Sequence, residues 1–203
     1  MDISASPVLT PPRTPWTSAS SPRHTLHPLP LSAFEALADG DLDLASSLTP
    51  PSLPALTQFV ITPSNRSRWR RRLDSIAGDA RNAPWMTRLI VFEADDTQGQ
   101  PQSSSAIIVG RIGFHGKPDK RGVVEVGYEI DPVYWGRGHA TAAMRIIVDL
   151  ARAVEGVNVL KATVGEENLI SARIVKGQGL EKVGFQVHER RGPGIVYELK
   201  VQD

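Results

Sequence analysis

The residues from Val126 to Met144 carry the types and spacing best suited to chemistry. An apolar run, Val126-Gly127-Tyr128-Glu129-Ile130, leads through Asp131-Pro132-Val133-Tyr134 into Trp135-Gly136-Arg137-Gly138-His139-Ala140-Thr141, and an amphipathic stretch follows. This order predicts a strand, a glycine-rich turn and the first turn of a helix. Backbone N–H groups at a helix start lack partners inside the helix, and the helix dipole makes that end positive. The result is a cradle for a phosphate or pyrophosphate, with Gly136 and Gly138 letting the backbone come close to the anion. A dinucleotide fingerprint would need a third glycine where Thr141 stands, and a P-loop would need Gly-Lys-Ser/Thr after the turn. Neither pattern is present.

The string resembles motif A of the GNAT superfamily of acyl-CoA-dependent N-acyltransferases, where Gln/Arg-x-x-Gly-x-Gly/Ala at a strand-to-helix junction binds the CoA pyrophosphate. Gly138 and Ala140 match that pattern. Trp135 stands in the leading slot, as is common in the branch resembling ribosomal-protein N-terminal acetyltransferases. Downstream, Asn168-Leu169-Ile170-Ser171 and Glu181-Lys182-Val183-Gly184-Phe185 are similar to two further motifs of that branch. The resemblance runs from roughly residue 28 to 203 and is strongest from Val124 to Phe185. It implies a mixed α/β fold of the GNAT type, a twisted sheet flanked by helices. It also implies an N-acetyltransferase that uses acetyl-CoA and no metal, the amine attacking the thioester directly in a ternary complex. The implied acceptor is a protein N-terminus or an amine-bearing small molecule. The alternative is a non-catalytic acyl-CoA-binding or regulatory domain. Its basis is Lys176-Gly177-Gln178-Gly179-Leu180, which looks like an insertion that would end a helix early and bulge a loop near the CoA exit.

Acyl transfer needs a held cofactor, a deprotonated amine, a polarised carbonyl and a proton for the departing thiolate. The resemblance assigns the pyrophosphate to the backbone from Arg137 through Gly138, His139 and Ala140 to Thr141, with the Arg137 side chain adding charge. Family strands splay just before motif A, which puts Tyr128 to Ile130 beside the thioester, Ile130 toward the cofactor and Tyr128 toward the acceptor. Asn168 is expected on the CoA arm or as a helix cap, and Ser171 near the thiol as its proton donor. Glu129 is the first candidate base and Glu125 the second; four apart on a strand, they share a face that Tyr128 does not. His115, in a turn after a strand, is a candidate acceptor contact. With no activated nucleophile in view, no covalent enzyme intermediate is expected.

The bulk of the chain sets outer bounds. Its 203 residues are 40% apolar, enough for one domain with a sizeable core. With 23 basic and 22 acidic residues, the net charge of +1 offers no general attraction to nucleic acid or to an anionic membrane. There is no cysteine, so no disulfide or thiolate ligand, and the five histidines lack metal-ligand spacing. No apolar run approaches membrane-helix length and no signal core follows Met1. A cytoplasmic monomer or homodimer is the expectation.

Residues 1–26, rich in Ser, Thr and Pro, are expected to be a disordered tail, with the GNAT domain over 27–203. Two short helices are predicted within Leu31 to Leu48, and Thr62-Pro63 should open a third. That third helix carries Arg66, Arg68, Arg70, Arg71 and Arg72, read as a solvated face with Glu and Asp partners nearby in preference to a patch for an acidic or RNA-bound acceptor. Leu89 to Glu93 and Ala106 to Phe114 should form a hairpin around a polar turn, Asp95 to Ser105, with Val123 to Ile130 the strand into the cradle. A helix from about Gly138 to Val154, a strand over Val157 to Val164, a helix over Asn168 to Val175 and a closing strand pair complete the expectation.

Overall fold

In the computed structural model, residues 10–94, 106–188 and 192–202 are described. The strands are β1 (His24–His27), β2 (Arg88–Glu93), β3 (Ala106–Phe114), β4 (Val123–Ile130), β5 (Val159–Gly165), β6 (Glu181–His188) and β7 (Gly192–Lys200). They form a seven-stranded sheet in the order β1-β2-β3-β4-β5-β7-β6. Each neighbouring pair is antiparallel except β4 and β5. A parallel pair needs a long crossover, and α4 (His139–Ala153) provides it. The other helices are α1 (Leu31–Asp39), α2 (Leu42–Ser47), α3 (Pro63–Gly78) and α5 (Leu169–Gly177). The expected hairpin is the antiparallel β2–β3 pair; its turn, Asp95 to Ser105, lies outside the described residues.

Local chemistry explains the element ends. Asp41 caps α2 by accepting from the Leu44 N–H, and Thr62 caps α3 by accepting from the Asn65 N–H with Pro63 at the first position. At the end of α5 the Leu180 N–H donates to the Val175 carbonyl at 3.2 Å and the Gly179 N–H to the Lys176 carbonyl at 2.9 Å. With Gly179 at φ 85°, this is a Schellman cap, and β6 begins at Glu181. The expected bulging loop is therefore absent: the two glycines end the helix in a tight turn, and Leu180 is buried beneath it.

The sheet divides two apolar layers. On one face α4 buries Ala140, Ala143, Met144, Ile147 and Ala151 against Val124 and Val126 of β4 and Leu160, Ala162 and Val164 of β5. Each large side chain so buried contributes about 1.5–3 kcal/mol. On the other face α1 and α3 pack Phe34, Leu37 and Trp69 over Leu89, Val91 and Ile108 of β2 and β3. The β6 edge leaves Val183 and Phe185 more than half exposed, so the helical cover on this second face does not reach it.

Two expectations need correction. Residues 1–9 lie outside the described residues, but from Pro12 onward the supposed tail is packed. Trp16, 2% exposed, pairs its backbone with Leu26, and the buried Arg88 guanidinium lies 3.6 Å from the centre of its ring. Arg88 donates to the carbonyls of Pro12 and Thr14, and burial pulls its pKa down to about 9. Prolines exclude a helix here but permit an extended strap, and one indole supplies the apolar area that makes docking favourable. The basic face of α3 is not simply solvated either. Arg72 is buried on the Thr87 hydroxyl, Arg66 donates to the Ala38 and Asp39 carbonyls, and Arg68 turns toward Glu129.

Candidate active site

The parallel β4–β5 pairing covers only Val123–Val126 against Val159–Ala162. Beyond it, Gly127–Ile130 continue with β3 alone, and Thr163–Gly165 with β7 alone. The two central strands part, and a gap opens through the sheet. The ladder's phase decides what faces it. The His115 N–H donates to the Glu125 carbonyl and the Asp131 N–H to the Val109 carbonyl, so odd-numbered residues of β4 bond to β3. Even-numbered Tyr128 and Ile130 then turn their backbone polar groups toward the gap. The Ile130 carbonyl is already taken by the Trp135 indole N–H at 2.9 Å.

At the mouth of the gap lies the glycine turn. Gly136 (φ 75°) and Gly138 (φ 81°) are in the left-handed region, where any side chain is strained. A Cβ at either would meet nothing within 4 Å, so conformation, not crowding by the chain, is what calls for glycine. Gly138 is the N-cap of α4 and no side chain caps that helix start. The first bond inside the helix runs from the Ala142 N–H to the Gly138 carbonyl.

Gap and helix start open on one cleft of about 450 Å³. Nine of the residues singled out from sequence line it: Tyr128, Glu129, Ile130, Gly138, His139, Ala140, Thr141, Asn168 and Ser171. Asn168 caps α5, its Oδ1 accepting from the Ser171 N–H at 2.9 Å, which leaves its NH₂ group for a ligand. The Tyr128 hydroxyl is buried and makes no full hydrogen bond among the described residues. Burial raises its pKa above 10, and the nearby Ser171 hydroxyl offsets part of that rise. Two hydroxyls thus share the inner end of the cleft.

The remaining predicted residues fall elsewhere or are already engaged. Arg137 does not line the cleft; its guanidinium lies 5.7 Å from the centre of the Tyr134 ring. His115 lines a separate depression of about 590 Å³ on the back of the sheet, with Nδ1 3.4 Å from a Glu125 carboxylate oxygen. Lys161 is 3.3 Å from the other Glu125 oxygen. Burial pushes the Glu125 carboxyl up, but the His115 and Lys161 contacts outweigh it and bring its pKa down to about 2. Glu125 thus lines that depression and not the cleft, and its carboxylate is only weakly basic. Glu129 does reach the cleft, yet its carboxylate is bonded to Arg111 and has Arg68 at 3.7 Å. Two arginines thus hold the Glu129 carboxylate in place at the wall of the cleft.

The comparisons with known proteins agree with this arrangement. A family model described as an acetyltransferase (GNAT) domain matches residues 33–186. The chain belongs to the GNAT acetyltransferase family. Among curated proteins this GNAT domain is similar to the uncharacterized N-acetyltransferase YoaA of Bacillus subtilis (strain 168), 32% identical over 94 residues, 46% of this chain and 53% of that one. It is also similar to the uncharacterized N-acetyltransferase p20 of Bacillus licheniformis, 27% identical over 45% of this chain and 52% of that one. The chain thus matches about half the length of these curated relatives. Among solved structures, Mycobacterium smegmatis RimJ in complex with CoA-disulfide aligns at TM-score 0.56 and 16% identity, covering 92% of this chain and 85% of that one. Spermidine N-acetyltransferase SpeG (a chimera from Vibrio cholerae and hSSAT) aligns at TM-score 0.54 and 14% identity, covering 88% and 96%. At such identities these two share the fold.

Sequence reading missed the support behind Glu129 in this GNAT domain. Arg111, 1% exposed, donates through Nε to the side-chain Oδ1 of Asn65 and through Nη2 to Glu129. Asn65, wholly buried, donates in turn to the Phe59 carbonyl at 2.7 Å. Two signals were available: one arginine inside the apolar run Ile107 to Phe114, and an asparagine four residues before Trp69 on the buried stripe of α3.

Proposed function

We propose that this domain is an N-acetyltransferase that moves the acetyl group of acetyl-CoA to a primary amine. The observation that carries the reading is the joining of two features in one cleft: strands that part just past Val126, and an uncapped helix start beside them. The N–H groups from Gly138 to Thr141 receive the pyrophosphate. The pantetheine arm lies along Tyr128 to Ile130 as a substitute strand, with the Asn168 amide donating to it. A backbone N–H of β4 polarises the thioester carbonyl.

The amine nitrogen attacks the carbonyl carbon, the C–S bond breaks, the nitrogen loses a proton, and the thiolate gains one. Ser171 or Tyr128, the two hydroxyls at the inner end, supplies the proton to sulfur. Glu129, held by Arg111 at the cleft wall, takes the first proton of the incoming ammonium directly or through water, and the second proton of the nitrogen restores the hydroxyl that protonated sulfur. Acceptors of two kinds suit a domain of this family: a protein N-terminus and a small amine such as a polyamine. RimL, a ribosomal L7/L12 alpha-N-protein acetyltransferase, and SpeG, a spermidine acetyltransferase, are structural neighbours of each kind. The segment that prompted the non-catalytic alternative is a helix cap leading into β6, which supports the catalytic reading over it.

Calorimetry with acetyl-CoA, followed by a thiol-release screen of amines and peptides, tests the reading. Micromolar binding together with amine-dependent release of CoA is expected. Absence of binding by the folded wild-type chain would discard it.

A further inference from the structure

The segment ahead of α1 lies outside the residues matched by the family model, yet it reaches the cofactor cleft. His24 of β1 sets its Nε2 2.9 Å from Nδ1 of His139, the first residue of α4. His139 is 4% exposed, lines the cleft, and packs its ring edge-on to Phe92 at 4.7 Å between centroids. The same segment grips the same helix further along. Ser18 and Ser20 donate their hydroxyls to the Asp149 carboxylate, and Ser21 donates to the Ala142 carbonyl at 3.2 Å. Trp16, stacked under Arg88, anchors the strap to the core.

We propose that this strap is a working part of the cofactor site, with His24 as the positioning residue that holds the His139 ring and the start of α4 ready for the CoA pyrophosphate. The inference rests on reading the cleft as the CoA site. Its physical basis is the lack of any side-chain cap on α4: two positive-φ glycines leave the turn little intrinsic stiffness. Engaging one imidazole nitrogen of His139 fixes the orientation of a ring that lines the cleft. Order established before the ligand arrives need not be created on binding, which raises affinity. The bond requires one ring to accept, so at least one must be neutral. The charges bearing on the pair, Arg23 and Arg137, are both cationic and oppose protonation, and the surrounding rings of Phe92 and Tyr134 carry no charge.

Full-length variants at His24 provide the test, read by calorimetry with acetyl-CoA and by steady-state kinetics. His24→Leu is expected to raise the Kd and KM for acetyl-CoA about tenfold, with a smaller effect on kcat at saturating acetyl-CoA and on the acceptor KM. His24→Gln, whose amide can donate or accept at similar reach, is expected to recover most of that affinity. Should His24→Leu fail to fold, His24→Asn replaces it: its amide ends one methylene short, so it should bind acetyl-CoA more weakly than His24→Gln. Acetyl-CoA affinity unaltered in His24→Leu, equal in the Asn and Gln variants, or unchanged while kcat falls would overturn the proposal and leave the CoA reading intact. A folded wild type that binds no acetyl-CoA would remove the reading of the cleft and the proposal with it.

Discussion

The two walls of the cleft are built from different material. On the α4 side, the groups offered to a ligand are backbone N–H groups held by Gly136 and Gly138, and Arg137 leans away. On the α3 side it is a side chain, Glu129, with Arg68 3.7 Å from its carboxylate and the buried Arg111 and Asn65 behind it. A backbone wall can recognise only what is invariant in its ligand, here an anion. A side-chain wall can be rewritten residue by residue, so it suits the partner that varies among relatives, the acceptor. The contrast also bears on stability. The backbone wall needs conformational freedom and little else, whereas the other keeps an amide and a guanidinium away from water only while they stay paired with each other and with Glu129.

The comparison breaks most sharply at Gly138. Gly138→Asp puts a side chain into a φ of 81° and a negative charge where an anion is to sit, and should weaken acetyl-CoA binding by at least about 100-fold in calorimetry. A protein that still binds as the wild type does would show that the turn is not the cradle. Next in size is Arg111→Met, which strands Asn65 and Glu129 and should destabilise the fold by about 3 kcal/mol in urea unfolding. Adding Glu129→Gln to that variant should cost less than the sum of the two changes. Simple additivity would mean that the pair is not coupled. Tyr128→Phe should lower kcat about tenfold while leaving acetyl-CoA affinity in place, and comparison with Ser171→Ala identifies which hydroxyl donates to sulfur.

The smallest effect expected is on pH dependence. Burial, then His139 and Arg23, lower the His24 pKa to about 4, and burial, then Arg137, lower that of His139. Between pH 6.5 and about 4 the unfolded chain therefore binds more protons at these sites than the folded one. Stability should be level above pH 6.5 on their account and decline as pH falls through that window. The His24 ring is partly solvated, so the decline is modest. Unfolding curves measured at steps across the window should flatten in His24→Gln, and an equal slope in that variant would assign the decline to other groups.

Legibility from sequence followed the same division. Motif A, the strand before it and the caps at Thr62 and Asn168 could be read because each depends on neighbours a few residues away. Even β3, Ala106–Phe114, has the limits its apolar run predicted. What escaped were features assembled across distance. Arg111 meets Asn65 and Glu129 from three separate elements, and nothing local says that a strand arginine will find a buried asparagine. The strap escaped for the same reason. Its prolines speak locally against structure, and only Arg88, Phe114 and α4 give Trp16 and the serines a place to dock. Glu129 was found, but the arginines that hold its carboxylate were not, since they are its neighbours in space and not in sequence.

An opening between two strands of one sheet has two mouths, one on each face. A cofactor entering from the α4 face and an amine arriving from the opposite face would use separate doors, so neither need wait for the other to load or to leave. Such a layout favours random-order kinetics, with CoA and the acetylated amine departing independently. It also sets a rule for inhibitor design. A molecule joining CoA to an acceptor mimic has to pass through the sheet, and its connecting segment can be no thicker than the strand that Thr163–Gly165 withholds from Gly127–Ile130.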